Sequence, residues 1–358
     1  MRKKVVRIKD IAEKAQVSAG TVDRVLHNRG LVSEEVRKKV VQIVREMNYK
    51  PNLIARTLKS NRTYKFAALI PDPDKDIYWN SPKSGIEKAE SELNHYGVTV
   101  EQFIFDPYSI DSFLKKANEV AHSNPDGILL APIFHKEVLP FFADWQARNI
   151  PYVLFNTQIP NSSPLSYIGQ DSYQSGLLAA KLLQYGISEP ATLLVAHISE
   201  DISNSAHLLE KEKGFRNFFS DNGLASQYNV IHQNFDNSDS STLADQLTDI
   251  KERFSDLKGI FVTNSKAYEL AYHLEKFNWG HIKLIGYDLL PQNLSFLKSG
   301  IIKFLINQNP LGQGYCGIYQ LSDSIVFKKN ISAIKYLPLD IVTQENLSYY
   351  LNTAAIER

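Results

Sequence analysis

From residue 66 onward, short apolar runs alternate with stretches whose apolar residues recur every three or four positions. Phe66-Ala67-Ala68-Leu69-Ile70-Pro71 is one such run, and residues 98–103, 127–132 and 150–155 read the same way. Apolar runs of this length fit strands of a parallel sheet that is covered on both faces. Helices predicted near 85–96, 109–122 and 135–148 separate them. A second set of strands begins at 192–196 and continues through 228–232, 259–263 and 282–287. Two sets of βα units predict an α/β fold with two doubly wound parallel-sheet subdomains. A cleft is expected between them at the carboxyl ends of the strands.

The first fifty residues have another period. Residues 10–15 read as a helix with Ile11 and Ala15 on one face, and Gln16-Val17 breaks it. Ser18 can cap a second helix over 19–26 by accepting from a free N–H in its first turn. That helix turns Val22, Val25 and Leu26 inward and leaves Ala19, Gly20, Asp23 and Arg24 outside, ending near His27-Asn28. Ser33 is positioned to cap a third helix, with Glu34 and Glu35 at its positive end. Val36, Val40, Val44 and Met47 form its inward stripe. The whole is a helix-turn-helix pattern. Pro51 stops the third helix, Asn52 can cap again, and the next seven residues are enough for two turns that are marginal in isolation.

Charge changes the picture. Residues 1–62 hold 16 Lys and Arg against 6 Asp and Glu, a net +10. Residues 63–358 hold 24 against 33, a net −9, and the whole-chain figure of +1 hides the split. Such asymmetry points to a polyanion partner for the basic end. Arg37, Lys38, Lys39, Arg45, Lys50, Arg56, Lys59 and Arg62 crowd that end, and phosphate contacts from them would make binding strongly salt-dependent. Tiny residues beside one long guanidinium, Arg24, suit a helix that enters a groove. No apolar run reaches the ~18 residues of a membrane span. The positive start, Met1-Arg2-Lys3-Lys4, lacks the apolar stretch of a secretion signal behind it. The lone Cys316 forbids an intrachain disulfide and fits a reducing compartment and a small, buried apolar role. No metal-ligand cluster or phosphate-cradling glycine loop is visible, so no cofactor is expected.

Val6-Arg7-Ile8-Lys9-Asp10-Ile11-Ala12, Val17-Ser18 and Thr21-Val22-Asp23-Arg24-Val25 together resemble the DNA-binding headpiece of the LacI/GalR family. The likeness continues through Val32-Ser33, Arg37, Val40, Met47-Asn48-Tyr49-Lys50-Pro51-Asn52, Ala55 and Leu58. It implies that the second helix lies in the major groove, with Ala19, Gly20 and Arg24 at base-reading positions. Ser18, Thr21, Asn28 and Ser33 would stand near phosphates. Asn52, Ala55 and Leu58 would belong to a hinge segment that folds on DNA, Leu58 wedging between base steps of the minor groove. Three residues depart from the family pattern. Asp23 replaces the usual serine, Gly20 offers no side chain for readout, and Arg7 stands where a capping threonine is common.

The acidic body resembles the periplasmic-binding-protein-like sensor (type I) of that family, and its ribose-type relatives in particular. The matching blocks are Ile168-Gly169-Gln170-Asp171 with Gly176-Leu177-Leu178-Ala179-Ala180, Ile285-Gly286-Tyr287-Asp288, and Asn307-Gln308-Asn309-Pro310. The resemblance implies that Asp76, Asp171, Lys211, Asn264, Asp288 and Gln308 line the cleft, with Tyr78 and Trp79 stacking on a sugar face. Carboxylates and amides suit vicinal hydroxyls, and an aromatic plate covers the C–H face. Lys211 stands where relatives carry arginine and gives up the bidentate fork. Asn156, in place of a commoner aspartate, and the bulky His207 argue for a ligand unlike plain ribose.

The domains expected are a headpiece over 1–50, a hinge over 51–62, and an effector-binding and dimerisation domain over 63–358. Within the last, one subdomain takes about 63–187 and 309–337, and the other about 188–308 and 338–358. The function expected is a ligand-responsive, cytoplasmic DNA-binding regulator, a repressor of carbohydrate-use genes. Its partners would be a near-palindromic operator, a sugar or polyol effector, and a second copy of itself. Homodimers, or tetramers of paired dimers, fit, although residues 349–358 carry no heptad zipper. An exported solute-binding protein would share the body but has no use for a +10 headpiece. An enzyme acting on a sugar would need a nucleophile, base and orienting group, and no such set can be assembled.

Overall fold

The computed structural model describes residues 6–26, 30, 32–47, 62–199, 205–235 and 240–356. Two compact units divide the chain, Met1–Ser60 and Asn61–Arg358.

The smaller unit holds α1 (Ile8–Ala15), α2 (Ala19–Leu26) and α3 (Glu34–Glu46). Ile11, Ala12 and Ala15 meet Val22, Val25, Val40 and Ile43 in one small core, with Val36, Val44 and Met47 at its rim. α1 starts two residues earlier than the periodicity predicts. The Asp10 carboxylate accepts the Arg7 backbone N–H at 2.7 Å, which is the acidic half of a capping box. The Arg7 guanidinium has no acceptor and cannot supply the other half. The break after α1 is made by Gln16 in the left-handed region (φ 57°), with Val17 N–H closing on the Ala12 carbonyl at 3.0 Å. Ser18 does cap α2: its hydroxyl accepts Thr21 N–H at 3.1 Å. Ser33 occupies the N-cap position of α3 but its hydroxyl makes no cap bond. Glu34 and Glu35 in the first turn are left to oppose the positive helix end. The predicted hinge lies almost wholly outside the described residues.

The larger unit begins with β1 (Tyr64–Pro71), α4 (Asn80–Leu93), β2 (Val98–Phe105), α5 (Ile110–His122), β3 (Gly127–Leu130), α6 (His135–Ala147), β4 (Tyr152–Phe155) and β5 (Ser166–Gly169). The chain then crosses to α7 (Ser172–Gly186), β6 (Ala191–Ile198), α8 (Ala206–Asp221), β7 (Tyr228–Phe235), α9 (Ser240–Arg253), β8 (Leu257–Val262), α10 (Ala267–Lys276), β9 (Lys283–Tyr287), α11 (Pro291–Lys298) and β10 (Ile302–Asn307). It crosses back to α12 (Pro310–Ile325) and β11 (Ile334–Tyr336), and returns once more for β12 (Asp340–Val342) and α13 (Leu347–Ile356). The two sheets run β11-β5-β4-β3-β1-β2 and β12-β10-β9-β8-β6-β7. All neighbours pair parallel except β10 with β12.

The two-residue period of each strand divides its side chains between two helical covers. Phe66, Ala68 and Ile70 of β1 face one core layer, while Ala67 and Leu69 face the other. Leu194, Ala196 and Ile198 of β6 split from Leu193 and Val195 in the same way. Full burial holds for the inner strands β3, β4, β5 and β6. β2 and β7 close the ends of their sheets, and Thr99 and Glu101 share an exposed face of β2, which explains a glutamate in what reads as a core strand.

One expected boundary moves. Ala179, Ala180, Leu183 and Ile187, on or just after α7, pack with Leu193 and Phe215 of the second layer. The crossover therefore falls before α7, near residues 170–171, and not behind it. α7 belongs there because Gly176 and Gly214 let it lie against α8. A Cβ on Gly176 would strike the Lys211 carbonyl, and one on Gly214 the Tyr173 carbonyl. Gly85 and Gly314 do the same for α4 and α12 in the first layer.

Candidate functional site

On α2, Ala19, Gly20 and Arg24 are exposed, with Thr21 half-buried beside the exposed cap Ser18. Ser33 is exposed at the start of α3, and Lys38, Lys39 and Arg45 are exposed along it. The burial of Val22 and Val25 sets this orientation, because the opposite side of a two-turn helix must then face outward. Ser18 and Thr21 are tied together, their hydroxyl oxygens 2.9 Å apart. Asp23 is half-buried at the edge of this face. Asn28, Asn52, Ala55 and Leu58 lie outside the described residues.

The larger unit holds a cavity of about 370 Å³ at the carboxyl ends of both sheets' strands. That is within the usual range for small-molecule clefts. Asp76 follows β1 and caps a single 3₁₀ turn, Ile77–Trp79, by accepting Tyr78 N–H at 3.0 Å. The turn buries both aromatic rings. Trp79 meets Tyr78 edge-on at 5.0 Å and Phe155 at 6.1 Å. The Tyr78 hydroxyl accepts from the Asn156 amide at 2.7 Å.

The opposite wall comes from the second layer. Lys211, 2% exposed, reaches from α8 to donate to the Thr263 carbonyl at 2.9 Å and lies 3.8 Å from the Tyr287 ring centre. Gln308 takes a longer bond from the same ammonium at 3.5 Å. Its backbone N–H donates to Asp288 Oδ1 at 3.2 Å and its side-chain amide to Oδ2. The Asn264 amide donates to the Ile198 carbonyl at 2.8 Å, tying the ends of β6 and β8 together. Buried Asn293 braces the loop behind, donating to the carbonyls of Ser265 and Tyr287, each at 2.8 Å. Asn156, Ser199 and Asp288 each directly follow a strand with φ of 67°, 53° and 64°. Left-handed residues of this kind turn the chain sharply, and strained backbone concentrates at functional sites.

Burial, foremost, pushes the Asp288 carboxyl up to about 6, with Asp76 adding to it against the Gln308 bonds and Lys211. Burial also pushes His207 down to about 3, helped by Lys211 and His197, so the ring is neutral. His207 Nδ1 stands 3.3 Å from the Thr157 hydroxyl, a contact that spans the cleft. Behind the wall, His197 lies between the Thr263 hydroxyl (2.9 Å) and Glu212 (2.8 Å), and Arg216 donates to the same carboxylate at 2.7 Å.

Asp76, Tyr78, Trp79, Lys211, Asn264, Asp288 and Gln308 all line this cavity. Asp171 does not. Its carboxylate accepts Gln174 N–H at 3.0 Å as the N-cap of α7, so its place after a strand reflects helix capping. The expected list lacks Tyr108, Phe134, Ser199, Ser205, Ser265 and Lys266, which also line the cavity. Each sits in a loop beyond a strand's carboxyl end, where an open α/β sheet places its ligand, and that position was the available signal.

Residues 7–52 match the family described as bacterial regulatory proteins, lacI family, and residues 66–329 match the periplasmic binding protein domain. The chain is 25% identical to the ribose operon repressor of Halalkalibacterium halodurans over 79% of this chain and 80% of that one. A crystal structure from Bacteroides fragilis, provisionally described as a LacI transcriptional regulator, is 30% identical with a TM-score of 0.73, covering 81% of this chain and all (100%) of that one. The glucose-galactose binding protein GanP of Geobacillus stearothermophilus shares the fold, at 22% identity and a TM-score of 0.71 over 80% of this chain and 99% of GanP. The chain belongs to the lacI family of bacterial regulatory proteins: a ligand-responsive, DNA-binding transcription regulator whose sensor is a periplasmic binding protein domain.

Proposed function

We propose that this regulator represses transcription from a near-palindromic operator bound as a homodimer, and that a sugar or polyol in the cleft switches it. The observation that carries the reading is the pairing, in one chain, of an exposed α2 face bearing Arg24 with a cavity lined by Trp79, Asp76 and Asp288. Arg24 would read a base edge in the major groove, and the exposed lysines of α3 would hold phosphates. In the cleft, Asp76, Asp288, Asn264 and Gln308 would bond hydroxyls while Tyr78 and Trp79 cover the apolar sugar face. Lys211, held over Tyr287, would fix the Gln308–Asp288 pair more than it grips the ligand. The ribose operon repressors of Halalkalibacterium halodurans and Bacillus subtilis, at 25% and 28% identity, support a regulator and not an enzyme.

A ligand can move the DNA-binding equilibrium only through its different affinity for the two states of the protein. The test is a thermal-shift screen of sugars and polyols, followed by operator binding at fixed salt with and without each hit. A hit that changes operator affinity, together with loss of sequence-specific binding in Arg24→Ala, is the expected result. Hits without any effect on operator affinity would remove the switching role. Unaltered specificity in Arg24→Ala would remove the readout role.

A further inference from the structure

Lys266 follows β8 as the N-cap residue of α10 and lines the cavity with 8% of its surface exposed. Its ammonium lies 3.4 Å from the Tyr108 hydroxyl across the cleft and 5.3 Å from the centre of that ring. Among the described residues no carboxylate lies within ion-pair distance of it. A phenol at that range is a poor partner, since charged bonds run at ~2.7–2.9 Å. A buried charge without a counter-charge carries an uncompensated desolvation cost.

A second donor stands close by in the topology. Ser199 directly follows β6, the strand that pairs with β8, and Asn264 joins the two strand ends. The Ser199 hydroxyl is buried, lines the same cavity, and has no hydrogen-bond partner among the described residues. Lys211 differs from both, because its ammonium is committed to the Thr263 carbonyl, Gln308 and the Tyr287 ring. The cavity thus divides its chemistry. Asp76 and Asp288 supply acceptors suited to hydroxyls, while Lys266 and Ser199 present donors with little to donate to.

We propose that the effector is a sugar or polyol bearing an anionic group, a carboxylate or a phosphate, and that the Lys266 ammonium and Ser199 hydroxyl hold that group. The proposal rests on the sugar-cleft reading above and adds the ligand's charge to it. A neutral pentose or hexose would leave the Lys266 ammonium buried against a phenol. An anion would give it a charge-assisted bond in a site of low dielectric.

Isothermal titration of the full chain with matched probes tests this: D-ribose, D-ribonate and D-ribose 5-phosphate, and D-glucose, D-gluconate, D-glucuronate and D-glucose 6-phosphate. At least one acid or phosphate ester is expected to bind ~10-fold or more tightly than its parent sugar. Lys266→Met should bring that ratio close to one, and Lys266→Arg should keep most of it. Which anion is preferred separates a sugar acid from a sugar phosphate. Parent sugars that bind as tightly as all their charged forms overturn the charge assignment and leave the cleft reading in place. No binding by any probe, neutral or charged, overturns both. A ratio that survives in Lys266→Met removes Lys266 from the site, and the unliganded melting curve of each variant reports whether it has folded.

Discussion

Two titratable side chains in the cleft pull stability in opposite directions as pH changes. Asp288 is pushed up to about 6 in the folded chain, so between its unfolded value and 6 the folded state binds more protons. Stability from this group is therefore greatest at low pH and is lost as pH rises through 6. His207 is pushed down to about 3, so the unfolded state binds more protons between 3 and 6.5, and stability rises with pH there. The melting temperature of Asp288→Asn should accordingly rise more steeply with pH than that of the wild type between about 5 and 6. His207→Gln should show the opposite change of slope. Parallel curves for both variants would mean that neither group titrates in its cleft environment. Asp76 and Asp288 were legible through the resemblance to the family's sensor, and both line the cavity. Asp171 rested on the same resemblance and turned out to cap a helix. Lys266 and Ser199 were not legible, since their unmet donors arise only when β6 and β8 lie side by side and Asn264 ties their ends.

At the scale of elements, eight strands were legible as apolar runs, and β5, β10, β11 and β12 were not. Ser166–Gly169 and Ile302–Asn307 become strands because neighbours flank them, β4 and β11 for the first and β9 and β12 for the second. The placement of α7 was hidden for a similar reason, because its helical period does not say which sheet it covers. What fixes it is close approach to α8 at Gly176 and Gly214, where an added Cβ meets backbone carbonyls that cannot rotate away. Gly214→Ala should thus destabilise the larger unit by about 1–3 kcal/mol, the usual range for overpacking. Gly186→Ala, at the end of the same α7, meets only the flexible Lys283 stem at 3.7 Å or beyond and should change stability little. Chemical denaturation of the two variants decides the matter, and equal effects would mean that helix propensity, not contact, governs both. In the headpiece, Gln16 holds a left-handed turn at φ 57° that glycine adopts freely. Gln16→Gly should stabilise the headpiece by up to ~1 kcal/mol. A loss of stability would show that the Gln16 side chain contributes more than its backbone costs.

On the scale of the whole molecule, the described cores do not mix. The headpiece core draws only on residues 6–47, and the four cores of the body draw only on residues 64–350. Among the described residues the headpiece core buries seven apolar side chains, few enough that a unit of this size is marginal alone. Its net +10 sits on residues 1–62, so self-repulsion weakens it further until a polyanion neutralises it. The body has its own complete layers and the cavity, and an effector bound there can stabilise only what it touches. Calorimetry of the full chain should therefore show two transitions, the lower belonging to the headpiece. A bound sugar-like effector at a hundred times its dissociation constant should stabilise the upper transition by about 2.7 kcal/mol. The same effector should leave the lower one in place when no DNA is present. Double-stranded operator should do the reverse, raising the lower transition, and adding salt should cancel most of that rise. A single transition that moves as one under either ligand would mean that the two units unfold together. The headpiece would then draw its stability from the body, and the division drawn from the cores would be wrong.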